Sequence, residues 1–359
     1  MDFNFSTHSR SNDVTRTIIN YSQRPLVVSW NSVGRNRSTH NLTIVTSRDN
    51  QTKAAKIPTV RNHTSKASSD RVLYLSSDYF DGIPLLYSPH PCDHSTQMLI
   101  FIHSATDNAE RRQFIRSTWA KASNFDGINV RLVFILGTMD NPTTHKTEQL
   151  QKEMRIHNDI AQFGFRDVYA NITHKHLLAL RWVKEFCWQA HYTVKADDDV
   201  IVNIKELINY VFYSNQNLTG FHCNIIHKSI VPRKKDKYYI SPAVYPSNYW
   251  PDFCQGLFYI ADTITLRHVY QACNAHAYFH LDDVFLTGII ALKLNISRTQ
   301  WPEEDKTKVL YSPSKMYIAQ LKPHVFVCLQ YVKNMDLFEM VWRQWQQKIQ
   351  ANRTLQISH

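Results

Sequence analysis

The stretch His191-Tyr-Thr-Val-Lys-Ala-Asp-Asp-Asp-Val-Ile-Val202 sets three consecutive carboxylates between two apolar, β-prone runs. Read as a strand through Ala196, it delivers Asp197, Asp198 and Asp199 to the strand's carboxyl end. Open α/β sheets hold their ligands at that end. Three adjacent carboxylates repel one another, so a cation is their natural partner. Oxygen-only donors suit a hard metal such as Mg²⁺ or Mn²⁺, with positions left for substrate phosphates. Alone, the triplet would equally suit an exposed acidic turn, and its surroundings must decide.

Those surroundings alternate strand and helix. Met98–His103 and Arg131–Gly137 are short apolar runs of the kind buried parallel strands need. Helices are expected over Ala109–Ala122, His145–Asn158 and Thr173–Gln189. In the last of these Leu177, Leu180, Val183 and Cys187 form one apolar stripe. Beyond the triplet the pattern gives a strand over Gln255–Ala261 and helices over Asp262–Ala275, Asp282–Leu294 and Met335–Gln350. The fold class is therefore α/β, a Rossmann-like sandwich around a mostly parallel central sheet.

The 359 residues include 43% apolar side chains, enough for a large core. The net charge of +11 is not gathered into a basic stripe, which argues against nucleic acid as a partner. Six cysteines lie far apart with no zinc spacing, and an even, scattered set suits disulfides in an oxidising compartment. Asn-x-Ser/Thr occurs at Asn4, Asn20, Asn36, Asn41, Asn50, Asn62, Asn171, Asn217, Asn295 and Asn352. Six of these ten precede residue 65, where chance supplies about two. Residues 1–70 thus read as a flexible, glycosylated, lumen-facing stem. Residues 71–95, with Pro84, Pro89 and Pro91, read as a linker, 96–350 as the catalytic domain and 351–359 as a tail. No run of about 18 apolar residues encodes a membrane span, and the N-terminus lacks a signal peptide's apolar core. A luminal protein needs one or the other, so either the chain is an incomplete or alternative form or the luminal compartment is the wrong reading. An organelle transit peptide is the second reading, and it leaves the sequons unexplained.

Three further segments carry chemistry. In Glu110-Arg-Arg-Gln-Phe-Ile-Arg-Ser-Thr-Trp119, Arg112 and Arg116 share one helix face, where paired guanidiniums can grip a diphosphate or make ordinary salt bridges. Tyr245–Gly256 is dense in aromatics and proline and suits stacking on sugar rings or simple packing. His280-Leu-Asp-Asp-Val284 places two acids at a helix start, where one can cap and the other act as a general base.

Taken in order, these motifs resemble the β-1,3-glycosyltransferases of the β-1,3-galactosyltransferase type. The match runs from about Cys92 to Trp342. It includes Arg112-x-x-Ile115-Arg116-x-Thr118-Trp119, Phe134-Ile-Leu-Gly137, Asp167-x-Tyr169-x-Asn171-Ile-Thr173-x-Lys175, Lys195-Ala-Asp-Asp-Asp-Val200, Tyr245-Pro…Trp250-Pro…Cys254-x-Gly256 and Asp282-Asp283-Val284. The resemblance implies a GT-A fold, a UDP-sugar donor, Mn²⁺, inversion at the anomeric carbon, and a glycan acceptor on a glycoprotein or glycolipid in the Golgi lumen. It makes Asp199 the metal ligand, joined by Asp197. It puts Asp197, Asp198 and Lys195 against the ribose and sugar, Arg112, Arg116 and Trp119 around the nucleotide, and Asp283 in the role of base. Membrane association is expected of the family, although this chain carries no anchor.

The chain departs from the family at three places. Phe258 replaces a glycine, Asp282 replaces a glutamate, and the C-terminal Val-His has only Gln330, Tyr331 and the earlier His324 as counterparts. Phe258 and the missing Val-His motivate an alternative, a catalytically degenerate paralogue that binds glycans or assists a partner enzyme, against which the intact Asp197–Asp199 and Asp283 argue. Phosphoryl transfer is disfavoured because no Gly-rich phosphate loop is present.

Overall fold

The computed structural model describes residues 77–301 apart from 215–217, 235–237, 274–275 and 277, together with the helix at 335–357. Four short strands at 28–29, 43–44, 307–310 and 327–330 complete the described residues. The chain divides into two units, Met1–Asn62 and His63–His359. In the first, β1 (Val28–Ser29) pairs antiparallel with β2 (Thr43–Ile44). The remainder of the expected stem lies outside the described residues.

The second unit opens with α1 (Ser77–Asp81) and β3 (Leu85–Tyr87). Both fall in the stretch expected to be a linker. Phe80 and Ile83 are buried, and β3 pairs with a sheet strand, so this segment belongs to the body. Next come β4 (Thr96–His103), α2 (Ala109–Ser117), β5 (Asn124–Phe125), β6 (Ile128–Thr138), α3 (Thr144–His157) and β7 (Ile160–Arg166). They are followed by α4 (Ile172–Phe186), β8 (Tyr192–Asp197) and β9 (Val200–Val202).

At the centre β8, β4, β6 and β7 lie side by side, all parallel. Helices cover such strands on both faces, and the sequence answers with unbroken apolar runs. Met98 to Ile102 of β4 are all fully buried, each worth about 1.5–3 kcal/mol of gross transfer free energy. The expected parallel α/β core is borne out here, while the flanks are mixed.

On one flank β8 pairs antiparallel with β11 (Phe253–Asp262), which pairs antiparallel with β10 (Phe221–Ile226). α5 (Ile204–Ile208) leads into β10, α6 (Thr263–Cys273) follows β11, and β12 (Arg298–Gln300) closes this edge beside β10. A separate sheet sets β9 against β14 (Val327–Gln330), which pairs with β13 (Thr307–Leu310). The segment expected as a helix from Asp282 winds as a π-helix over Val284–Ile290 before α7 (Ala291–Lys293).

Two expected helices end early for visible reasons. α2 stops at Ser117 because Thr118 leaves helical geometry (φ −118°, ψ −106°), and Trp119 turns inward to 3% exposure. α4 stops at Phe186, where Cys187 is tied to Cys92. Thr173, expected as the cap, is instead buried within the first turn. The apolar stripe of α4 is buried throughout, as expected.

A second disulfide, Cys223–Cys254, staples β10 to β11. Cys273 is a buried free thiol. The final helix, α8 (Met335–Ile357), packs through Phe338, Val341 and Trp345, with Phe338 4.7 Å from Phe114. Among the described residues no helix is long and apolar enough to cross a membrane.

Candidate active site

The parallel register of β4 and β8 pairs His103 with Asp197 at the strands' carboxyl ends. From there Asp198 and Asp199 turn the chain into β9, whose three side chains are fully buried. The three carboxylates have different company. Asp198 is saturated: Ser104 Oγ (2.7 Å) and Asn108 Nδ2 (2.8 Å) donate to one oxygen, Arg111 Nη1 (3.0 Å) to the other. Asp197 accepts from Lys195 Nζ at 2.6 Å. Burial pushes its carboxyl up to about 6 despite that ammonium.

Asp199 differs from both. Its Oδ1 is buried with no partner among the described residues, and its nearest cation is Arg111, 3.9 Å from Oδ2. Burial, then the charges of Asp197 and Asp198, push its carboxyl up to about 7. An orphaned, buried carboxylate oxygen fits a hard divalent cation. Among the described residues no three His, Cys, Asp or Glu side chains form a ready cage. The fit is therefore of the kind that uses one or two carboxylates and completes its shell with substrate phosphates and water. Of the C-terminal positions considered as metal ligands, His324 and Tyr331 lie outside the described residues, and Gln330 ends β14.

Lys195 joins this turn to the second acid pair. Its buried ammonium donates to Asp197 and to the Gly256 carbonyl. Burial opposes that charge, but Asp197 and Asp282 outweigh it and raise the ammonium's pKa. Gly256 in turn lies against Asp283.

The adjacent acids Asp282 and Asp283 have separated. Asp282 is buried and bonded to His176 Nδ1 at 2.8 Å. Burial would raise its carboxyl, yet the hydrogen bond from His176 prevails and lowers it. Asp283 caps the π-helix by accepting from the Val284 N–H at 2.7 Å. Burial and then the Asp282 charge push its carboxyl up to about 7. Two neighbouring acids held apart in this way suit distinct roles.

The residues that the sequence suggests for the nucleotide pocket have the following partners. Arg112 is fully buried, and all five of its N–H donors are used: two on Glu153, the others on Ser104 Oγ and the carbonyls of Ala105 and Thr106. It reaches the aspartates only through Ser104, which donates to Asp198. Arg116 grips Asp159 through two bonds (2.7 and 2.8 Å) and Glu153 through a third (2.8 Å). It lines a cleft of about 690 Å³ with Thr106, Asp107 and Lys146. Trp119, its Nε1 buried with no partner among the described residues, lines a different cleft of about 410 Å³ beside Val202 and Asn203.

Sequence reasoning missed Arg111, the arginine that does face the triplet, because helix spacing singled out its neighbours. It also missed His176 and Tyr259, which only tertiary packing brings to Asp282. Lys175 and Asp167 were noticed as motif members. Lys175 Nζ spans Asp167 and the Ser104 carbonyl, both at 2.6 Å, and so fixes the loop after β4. Within Tyr245–Gly256, Tyr245 and Trp250 pack on each other (4.6 Å) and on Phe279, so packing is their role. Phe258 is likewise 2% exposed, its ring 6.0 Å from that of Trp301 in the core.

Comparison with known proteins gives this geometry a context. The family model described as Galactosyltransferase matches residues 110–302. Lactosylceramide 1,3-N-acetyl-beta-D-glucosaminyltransferase A of Danio rerio is 36% identical over 209 residues, 56% of this chain and 55% of that protein. The chain thus spans about half the length of that relative. Beta-1,3-galactosyltransferase 1 of Mus musculus is 30% identical over 234 residues, covering 64% and 70% of the two chains. Beta-1,3-galactosyltransferase 5 of Mus musculus is 29% identical, covering 74% and 88%. Among solved structures, the WbbM bifunctional glycosyltransferase overlaps 69% of this chain and 48% of its own at 14% identity, with a TM-score of 0.39, a likeness too slight to argue from. The sequence relatives and the family model carry the assignment: this chain belongs to the galactosyltransferase family of glycosyltransferases.

Proposed function

We propose that this protein is an inverting, metal-dependent β-1,3-hexosyltransferase. It moves galactose or an N-acetylhexosamine from a UDP-sugar to a glycan hydroxyl. The observation that carries the reading is the link between the acidic turn and the second acid pair: Lys195 bonds both Asp197 and the Gly256 carbonyl, and Gly256 lies against Asp283. Asp199 offers an orphaned oxygen at one end, and Asp283 a carboxyl tuned to about 7 at the other. The names of the relatives include both galactosyl and N-acetylglucosaminyl transferases, which supports either donor sugar.

In this reading Asp199, with Asp197, would hold Mn²⁺, and the ion would supply positive charge against the diphosphate of the donor. Lys195 keeps Asp197 ionised and aligned. Asp283 accepts the proton of the acceptor hydroxyl as that oxygen attacks the anomeric carbon from the face opposite UDP, and inversion follows from one in-line step. Arg112 and Arg116 act on the nucleotide indirectly, by fixing the loop after β4 through Ser104 and Glu153. Burial of Phe258 against Trp301 removes one motive for a degenerate paralogue, since that ring is spent in the core.

The acceptor is a glycan on a glycolipid or glycoprotein, the compartment is the Golgi lumen, and residues 1–70 are a glycosylated stem. The test is a UDP-sugar screen with Mn²⁺ against lactosylceramide and an oligosaccharide array, with the anomeric configuration of the product read by NMR. A β-1,3-linked product is expected. No transfer from any UDP-sugar, or a retained α-configuration, would reject the reading.

A further inference from the structure

His176 lies in the second turn of α4 and is only 1% exposed. It packs on a row of sheet positions where Phe101 of β4, Lys195 of β8 and Tyr259 of β11 are register partners. Its ring meets Phe101 and His103 edge-on, at 5.7 and 4.9 Å, and lies within 13° of the Tyr259 plane.

Both ring nitrogens are committed. Tyr259 Oη is 2.7 Å from Nε2, and Asp282 Oδ2 is 2.8 Å from Nδ1. One arrangement satisfies all three groups with a neutral ring: the phenol donates to Nε2, and Nδ1–H donates to the carboxylate. Asp282 is joined to Asp283 by a single peptide bond, and Asp283 in turn caps the π-helix through the Val284 N–H. The chain of hydrogen bonds from Tyr259 through His176 therefore ends on Asp282, whose main chain continues directly into Asp283.

Two adjacent acids at a helix start invite an exchange of roles, and something must decide between them. The geometry points to His176 as the positioning residue that does so. By holding Asp282 it withholds that carboxylate from the acceptor, and through Asp282 it fixes the backbone that aims Asp283. His176 keeps its own proton throughout, and the acceptor's proton goes to Asp283 alone. This inference rests on the transferase reading above.

The experiment compares His176→Leu, His176→Asn and Tyr259→Phe with the wild type. Asn retains a donor near the Nδ1 position, and Phe removes only the far hydroxyl. A misplacement of about 1 Å at a reacting group costs about 10²-fold in rate. His176→Leu should therefore lose roughly 10–100-fold in kcat, with KM for the UDP-sugar and calorimetric UDP affinity held within about twofold. His176→Asn should recover most of the loss, and hydrogen exchange of the peptide around Asp283 should quicken in the leucine variant alone. Unchanged kcat in a folded His176→Leu would overturn the inference while leaving the transferase reading intact, as would a loss of UDP affinity equal to the loss of kcat. A wild type inert toward every UDP-sugar would instead remove the reading beneath it. Should the leucine variant fail to fold, the near-isosteric Tyr259→Phe carries the same comparison, with a smaller kcat loss expected and none overturning it.

Discussion

The α-carbon of Gly256 faces the carboxylate of Asp283 with less than a methyl group's clearance. A β-carbon at position 256 would lie 3.1 Å from Asp283 Oδ2 and 3.3 Å from its Cβ. Glycine is needed here for close approach. Gly256→Ala should push Asp283 by a few tenths of an ångström and lower kcat by about tenfold, with UDP affinity kept. Steady-state kinetics alongside UDP calorimetry checks this.

Asp283 must be ionised to accept a proton, and its carboxyl stands at about 7. kcat/KM should therefore climb about tenfold per pH unit on the acid side and level off above about pH 7. Asp283→Asn should cost about 10²–10⁴-fold in turnover and abolish that limb, leaving UDP binding largely intact. Asp282→Asn keeps an oxygen for His176 and should cost less. A dead Asp282→Asn beside a nearly normal Asp283→Asn would reverse the roles.

Asp199 should reveal itself through both binding and stability. Its carboxyl is raised from 3.8 to about 7 in the fold, so the folded chain holds that proton more tightly than the unfolded one. The stability this contributes is full below about pH 3.8 and is lost as pH rises through about 7. Asp199→Asn should fold normally, show a flatter decline of melting temperature over that window, and lose Mn²⁺-dependent UDP affinity. Thermal scans across pH and calorimetry with and without Mn²⁺ give the two readouts.

Arg112 should prove a scaffold residue. Arg112→Lys cannot fill five donor positions and leaves Glu153 partly unpaired in the interior. Breaking a buried ion pair costs about 3–5 kcal/mol, so denaturant unfolding should shift by an amount of that order. UDP affinity per folded molecule should change little. The opposite outcome, normal stability with lost UDP binding, would restore the arginine to the nucleotide pocket.

The central strands and the three helices that follow them were legible because burial on both faces leaves unbroken apolar runs, and α4 announced its buried stripe at gaps of three and four. The acidic turn was legible because the strand period carried Asp197 to a strand end. What the sequence hid was partnership. Nothing local distinguishes Asp198, saturated by three donors, from Asp199, whose Oδ1 has none among the described residues. Arg111 and Arg112 are adjacent, yet one faces the triplet and the other is buried beneath it. His176 and Asp282 are 106 positions apart, and only the packing of α4 on the sheet makes them a pair. α1 and β3 were hidden in a proline-bearing segment that reads as a linker until Phe80 and Ile83 find the core.

The alternation of β8 has a consequence for misfolding. Lys195 and Asp197 share one face of the sheet, with Ala196 on the other, and Tyr259 and Phe101 flank Lys195 through pairing alone. A slip of one residue between β8 and its neighbours would send the lysine to the opposite face and bring alanine to the cleft. Such a chain would lose the Lys195 bonds to Asp197 and to the Gly256 carbonyl. Under the proposed function, the register of β8 is therefore as much a requirement of the site as any single carboxylate.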